Sequence, residues 1–258
     1  MKKISTLIWL TFANCLLSIG VQAQSEWQSR NSIGVSIPVI EKLDFSYSHM
    51  QAFSITDKFS PAFSQHAFNL DYQIDKNWQA GTAFQLISPA GRPDARRRFI
   101  VKLGHQQKFS KITWTNTLRF ETNSANERRF RQRIAFSTRV GLRKRLDFLN
   151  LAPAITYTMF YNIGGSPIRY YDENEQLIAR QSPDGVHRSR LTLSLNSKVN
   201  DYLRITLYYM RQQEFNFLNS DTRKMNVYDP VRNRTLRPFD NFNTLGLSLN
   251  VSLEELIN

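Results

Sequence analysis

"RRFRQRIAFSTRVGLRKR", residues 128–145, carries eight basic side chains in eighteen positions. A run of that density ordinarily suggests an arm that binds nucleic acid. Its apolar residues are not scattered, however. Phe130, Ile134, Phe136, Val140 and Leu142 fall on even numbers, and Arg129, Arg131, Arg133, Arg139 and Arg143 on odd ones. A β-strand turns successive side chains to opposite faces, so a period of two puts hydrocarbon on one face and guanidinium on the other. The stretch reads as one strand of a sheet with an apolar side and a charged side.

The same alternation recurs on both sides of it. Ile33, Val35, Ile37 and Val39 show it early, then Phe68, Leu70, Tyr72 and Ile74, and at the end Leu245, Leu247, Leu249, Val251 and Leu253. A helix would scatter these residues around its circumference. Eleven such segments can be counted, joined alternately by tight turns (38–42, 75–77, 110–111, 143–147, 200–201) and longer polar loops (53–65, 88–97, 122–128, 162–186, 217–241). Several segments reach a dozen residues, beyond the usual globular strand of about 5–6 and enough to cross an apolar slab at a tilt, which takes about 9–11. Long strands, short turns at one end and long loops at the other predict an all-β fold, a transmembrane antiparallel up-and-down β-barrel of about ten to twelve strands over residues 24–258. A soluble β-sandwich fits the alternation but neither the strand length nor the loop asymmetry. Single-chain bacterial barrels have an even number of strands, so eleven segments predict ten or twelve strands in the wall, or an unusual pairing of residues 24–32.

The chain opens "MKKISTLIWLTFANCLLSIGVQAQSEW". Lys2 and Lys3 precede a largely apolar run to Ile19, and Val21-Gln22-Ala23 offers small residues for cleavage before Gln24. This is the layout of a secretory signal peptide, residues 1–23, and it is too short and wrongly flanked for a retained membrane anchor. Cys15 could suggest lipid attachment, but Asn14 stands where a small residue is expected. The formal net charge is +13, and removing Lys2 and Lys3 leaves 32 basic against 21 acidic residues, a net of +11, with no cysteine. An exported chain without disulfides must be held by other means. The expected location is the bacterial outer membrane, with membrane lipids around the barrel and no nucleic-acid partner, because a barrel would hide its arginines from a duplex.

Arginine facing lipid costs about 2–4 kcal/mol at the bilayer midplane, so the odd-numbered arginines must point inward. The expected inward network comprises Arg98, Lys102, Arg119, Glu121, Arg129, Arg131, Arg133, Arg139, Arg188, Arg190, Arg204 and Glu214, with Asp44 and Asp71 as further acidic candidates. Glu121 is the expected partner of Arg119, Arg129, Arg131 and Arg133. One reading is a narrow lumen filled by such pairs, since a barrel near ten strands has little room for a channel. The other is an anion-selective pore lined by basic side chains.

"TLRFETNSANERRFRQRIAFSTRVGLRKR" (117–145) resembles the hallmark hairpin of the DUF2490 family, bacterial proteins of undetermined function: an arginine strand before a loop, here Arg119, and an R-x-R strand after it, here Arg129, Arg131 and Arg133. "RSRLTLSLNSKVNDYLRITLYYMRQQ" (188–213) is similar to the family's closing pattern, an Arg-Leu-rich strand, a short turn and a Tyr-containing strand. The resemblance covers most of residues 25–253. It implies an outer-membrane β-barrel and supplies no activity. The C-terminus, "EELIN", departs from the terminal aromatic of common outer-membrane proteins, while "TLGLSLNV" (244–251) matches the general barrel insertion signal and is the expected contact for the barrel-assembly machinery.

Catalytic signals are sparse. There is no phosphate-binding glycine loop, and His49, His66, His105 and His187 are dispersed, so neither a metal nor a cofactor is expected. His187-Arg188-Ser189 places a histidine and a serine at the same parity, similar to the His-x-Ser pair of outer-membrane lipid hydrolases, with Asn162 as a third group if the register cooperates. Serine needs an adjacent base, and the base an orienting group. The competing reading makes both residues ordinary rim positions, and no enzyme activity is the principal expectation.

Overall fold

A computed structural model describes residues 26–124, 130–172, 174–220 and 223–253. The expected signal peptide and Arg129 lie outside them. The chain forms β1 (Glu26–Ile40), β2 (Leu43–Ser54), β3 (Ser60–Gln73), β4 (Trp78–Pro89), β5 (Arg96–Lys108), β6 (Ile112–Asn123), β7 (Gln132–Leu142), β8 (Leu151–Ile163), β9 (Ile168–Tyr171), β10 (Leu177–Gln181), β11 (Gly185–Lys198), β12 (Leu203–Glu214), β13 (Val227–Asp229), β14 (Arg234–Leu236) and β15 (Phe242–Ser252). Eleven of these close into a barrel in the order β1-β15-β12-β11-β8-β7-β6-β5-β4-β3-β2. The other four make two hairpins, β9–β10 in the loop after β8 and β13–β14 in the loop after β12.

The wall holds eleven strands, not ten or twelve. An odd number leaves the first and last strands running the same way, so the barrel closes through a parallel ladder, β1 on β15, from Glu26↔Phe242 to Ser36↔Ser252. Every other wall junction is antiparallel. Residues 26–32 thus take the unusual pairing that the strand count had left open. Some strands also run further than the alternation suggests. Between β2 and β3 only residues 55–59 remain as loop, because the ladder continues past a bulge at Ala52/Phe53 that interrupts the period.

Burial follows the period of two around the wall. Ala135 is buried between exposed Ile134 and Phe136, and Glu121 is buried beside exposed Phe120. Many inward positions are small or polar, such as Ala52, Ala67, Ala83, Ala135 and Thr244, which helps a narrow barrel close. Two glycines show how tightly: a Cβ on Gly81 would stand 2.1 Å from Asp71 Oδ1 and 2.7 Å from Lys102 Cε, and one on Gly246 would stand 2.0 Å from Tyr208 Cζ. Gly81 thereby leaves room for an ion pair, and Gly246 for an aromatic ring laid across β15.

Candidate functional site

The interior is organised around Glu121. Its carboxylate is 1% exposed and accepts from Arg133 Nε at 3.1 Å and Arg133 Nη2 at 2.5 Å. Arg98 Nη1 lies 3.7 Å away and Arg119 Nη2 3.9 Å away. The register explains the meeting, since Glu121 pairs with Arg133 across β6–β7 and with Ile100 across β5–β6, one inward step from Arg98. The Arg133 guanidinium is sandwiched between Phe130 and Phe160, 4.5 Å from each ring centroid, a cation–π arrangement that holds the fork in plane with its acceptor.

A second buried pair joins β11 to β12, where Arg188 donates to Glu214 through Nε at 2.9 Å and through Nη2. The loop before β15 completes it. Asp240 Oδ2 is 3.5 Å from Arg188 Nη2, its backbone N–H donates to Glu214 Oε2 at 2.8 Å, and its carbonyl accepts from Gln212 at 2.7 Å. A third pair, Lys102 to Asp71 at 2.8 Å, sits lower in the barrel.

Two cavities with no lining residue in common lie on either side of Glu121. The one toward the long loops, about 1140 Å³, is walled by Arg30, Arg92, Arg96, Arg98, Arg133, Arg188 and Arg190, with Asp94 and Asp240. The one toward the short turns, about 370 Å³, holds Lys102, Arg119 and Asp71. Between them the inward side chains of Ile100, Glu121, Ala135 and Phe160, on β5 to β8, are buried and form a waist on that side of the barrel. Arg139 and Arg204 share the inward parity but are exposed in the short-turn half, and Asp44 is exposed at that end. Arg131 is exposed on the bend before β7, away from Glu121.

The family model of DUF2490, a protein of unknown function, matches residues 31–223. The chain belongs to this family. No curated protein matches it. The match includes β2 to β12 of the DUF2490 barrel and therefore the residues of the waist.

The His187–Ser189 pair of the sequence reading is not assembled in the DUF2490 barrel. The β8–β11 register slips between Val186 and Arg188, so parity does not carry through His187, and its ring is fully buried. Its Nδ1 lies 3.3 Å from the Phe215 carbonyl and 3.2 Å from Asn219 Nδ2, and its Nε2 lies 3.2 Å from the Asp184 carbonyl. Both nitrogens face loop groups, and neither is left to act as a base toward Ser189, which stays in the ladder between Met159 and Gln213. Asn162 is buried opposite Arg133 and Gly185. Phe130, grouped by parity with the outward apolar residues, is 3% exposed; it precedes β7, and its ring turns in to cover Arg133. Among the DUF2490 barrel's interior residues, sequence reasoning missed Arg30, Gln212 and Asp240. Arg30 shares the inward parity of Ser32 and Gly34, a signal that could have found it; Asp240 belongs to a loop and carried none.

Proposed function

We propose that this DUF2490 protein spans the bacterial outer membrane as a closed, narrow-lumen barrel whose arginine-lined vestibule opens toward the long loops. The observation that carries the reading is the outward face. Ile33, Phe68, Phe84, Phe99, Leu118, Phe136, Ile155, Leu193, Leu207 and Leu245 are exposed on ten of the eleven wall strands, which are 11–15 residues long. A soluble monomer rarely shows a continuous apolar patch above a few hundred Å², whereas a bilayer requires an apolar belt and a closed sheet with no edge. Outward aromatics support it at both ends: Tyr72, Trp78 and Trp114 beside the short turns, Trp27 and Tyr161 beside the loops, where amphipathic rings favour membrane interfaces.

Within this reading the waist makes the barrel a blind vessel, not a conduit. The anion-pore reading draws support from the excess of arginine in the vestibule, and single-channel recording in planar bilayers separates the two. A closed waist gives no steady openings. Reproducible ohmic openings with anion preference would transfer the conclusion to the pore.

A further inference from the structure

We propose that the vestibule is a binding site for phosphate-type oxyanions, held by Arg30 and Arg190. Seven arginines and two aspartates line it. Two of the arginines are already paired, Arg133 to Glu121 and Arg188 to Glu214. Arg30 and Arg190 are held differently. Among the described residues neither Arg30 nor Arg190 has a carboxylate in salt-bridge reach. Arg30 donates through Nη2 to Gln28 at 3.0 Å, while its Nε is buried with no acceptor. Arg190 donates through Nε to Gln212 at 2.8 Å, and among the described residues its terminal nitrogens meet no acceptor. Asp240 is turned to Arg188 and Gln212.

Both guanidiniums are laid on phenylalanine rings. Arg30 stands 5.2 Å from the Phe63 centroid and 4.9 Å from that of Phe242, and Arg190 stands 5.1 Å from that of Phe160. Stacking takes the faces of the cation and leaves its in-plane N–H groups for an acceptor, the geometry with which arginine grips oxyanions. Arg30 and Arg190 are half-buried, and cations that have lost part of their water without gaining a carboxylate favour an incoming anion. A tetrahedral oxyanion suits such guanidiniums, because its three or four acceptor oxygens point in different directions and its charge is offset by theirs. The volume of about 1140 Å³ exceeds a bare phosphate, so the natural ligand is a phosphate ester, either soluble or the headgroup of a phosphorylated lipid reaching over the rim. The site rests on the closed-waist reading for its single entrance only; conductance tests the waist and binding tests the site.

The test uses the folded barrel in uncharged maltoside micelles and follows its unfolding midpoint during titration with sodium phosphate against sodium chloride at matched ionic strength. Wild type should gain stability saturably with phosphate, as for any ligand selective for the native state. The double variant Arg30→Gln/Arg190→Gln should lose about tenfold or more in apparent affinity, while Arg139→Gln/Arg204→Gln, outside the vestibule, should respond like wild type. Micelles doped with phosphatidic acid separate the sources: a response there alone places the phosphate on a lipid, and a response to inorganic phosphate places it in solution. An equal phosphate response in wild type and the vestibule variant would overturn the proposal, as would no response in either arm. If the double variant fails to fold, Arg30→Lys and Arg190→Lys keep the charge and remove the planar fork; an undiminished response in both would overturn it equally.

Discussion

Glu121 is where the interior depends most on one residue. Its carboxylate faces Arg133, Arg98 and Arg119 in a buried waist. Glu121→Ala strands these cations, and breaking a buried pair by removing one partner typically costs about 3–5 kcal/mol. Glu41→Ala, at an exposed turn, should stay within about 0.5 kcal/mol of wild type. Urea midpoints in micelles measure both, and equal losses would contradict the role given to Glu121. Asp75 offers a pH test. It accepts backbone N–H bonds from Asn77 at 2.7 Å and Trp78 at 2.9 Å in the turn before β4, and these bonds, Asn77 first, hold its carboxyl below the usual range. A depressed carboxylate contributes stability that is present above its unfolded pKa and lost as pH falls through the folded value. The margin of wild type over Asp75→Ala should therefore be constant near neutrality and shrink in acid; a margin independent of pH would refute the assignment. Parity made Arg98, Arg119, Glu121, Arg133 and Glu214 legible as inward residues. It failed at Phe130, which precedes β7, and at His187, where a bulge breaks the count.

At the scale of the strands, β15 carries two expectations. Gly246 lies under the Tyr208 ring, so Gly246→Ala overpacks the wall and should destabilise by about 1–3 kcal/mol. Adding Tyr208→Ala should recover much of that loss, and strict additivity in the cycle would argue against the contact. The parallel seam is testable by chemistry, since Ser32 Oγ and Ser248 Oγ are 2.9 Å apart and the sole cysteine of the chain is Cys15. Ser32→Cys/Ser248→Cys should oxidise to an intramolecular disulfide, whereas Ser32→Cys/Ser252→Cys, two inward steps away in register, should not. All eleven wall strands were legible because each sets hydrocarbon against polar groups over many residues. Their closure was not, because the period of two fixes faces and says nothing of the direction in which β1 meets β15. The hairpins β9–β10 and β13–β14 were read as loop, since strands of three to five residues are too short to establish a period.

For the whole molecule, one inversion ties the observations together: hydrocarbon is exposed outside, and carboxylates and guanidiniums are buried within. Water would favour the opposite arrangement, and a bilayer favours this one. The most direct test is the gel mobility of the protein extracted from separated cell fractions, heated and unheated. The account predicts recovery in the outer-membrane fraction with a band that migrates faster until boiled, because the closed barrel resists detergent. Recovery in the soluble periplasmic fraction with identical mobility before and after heating would contradict it.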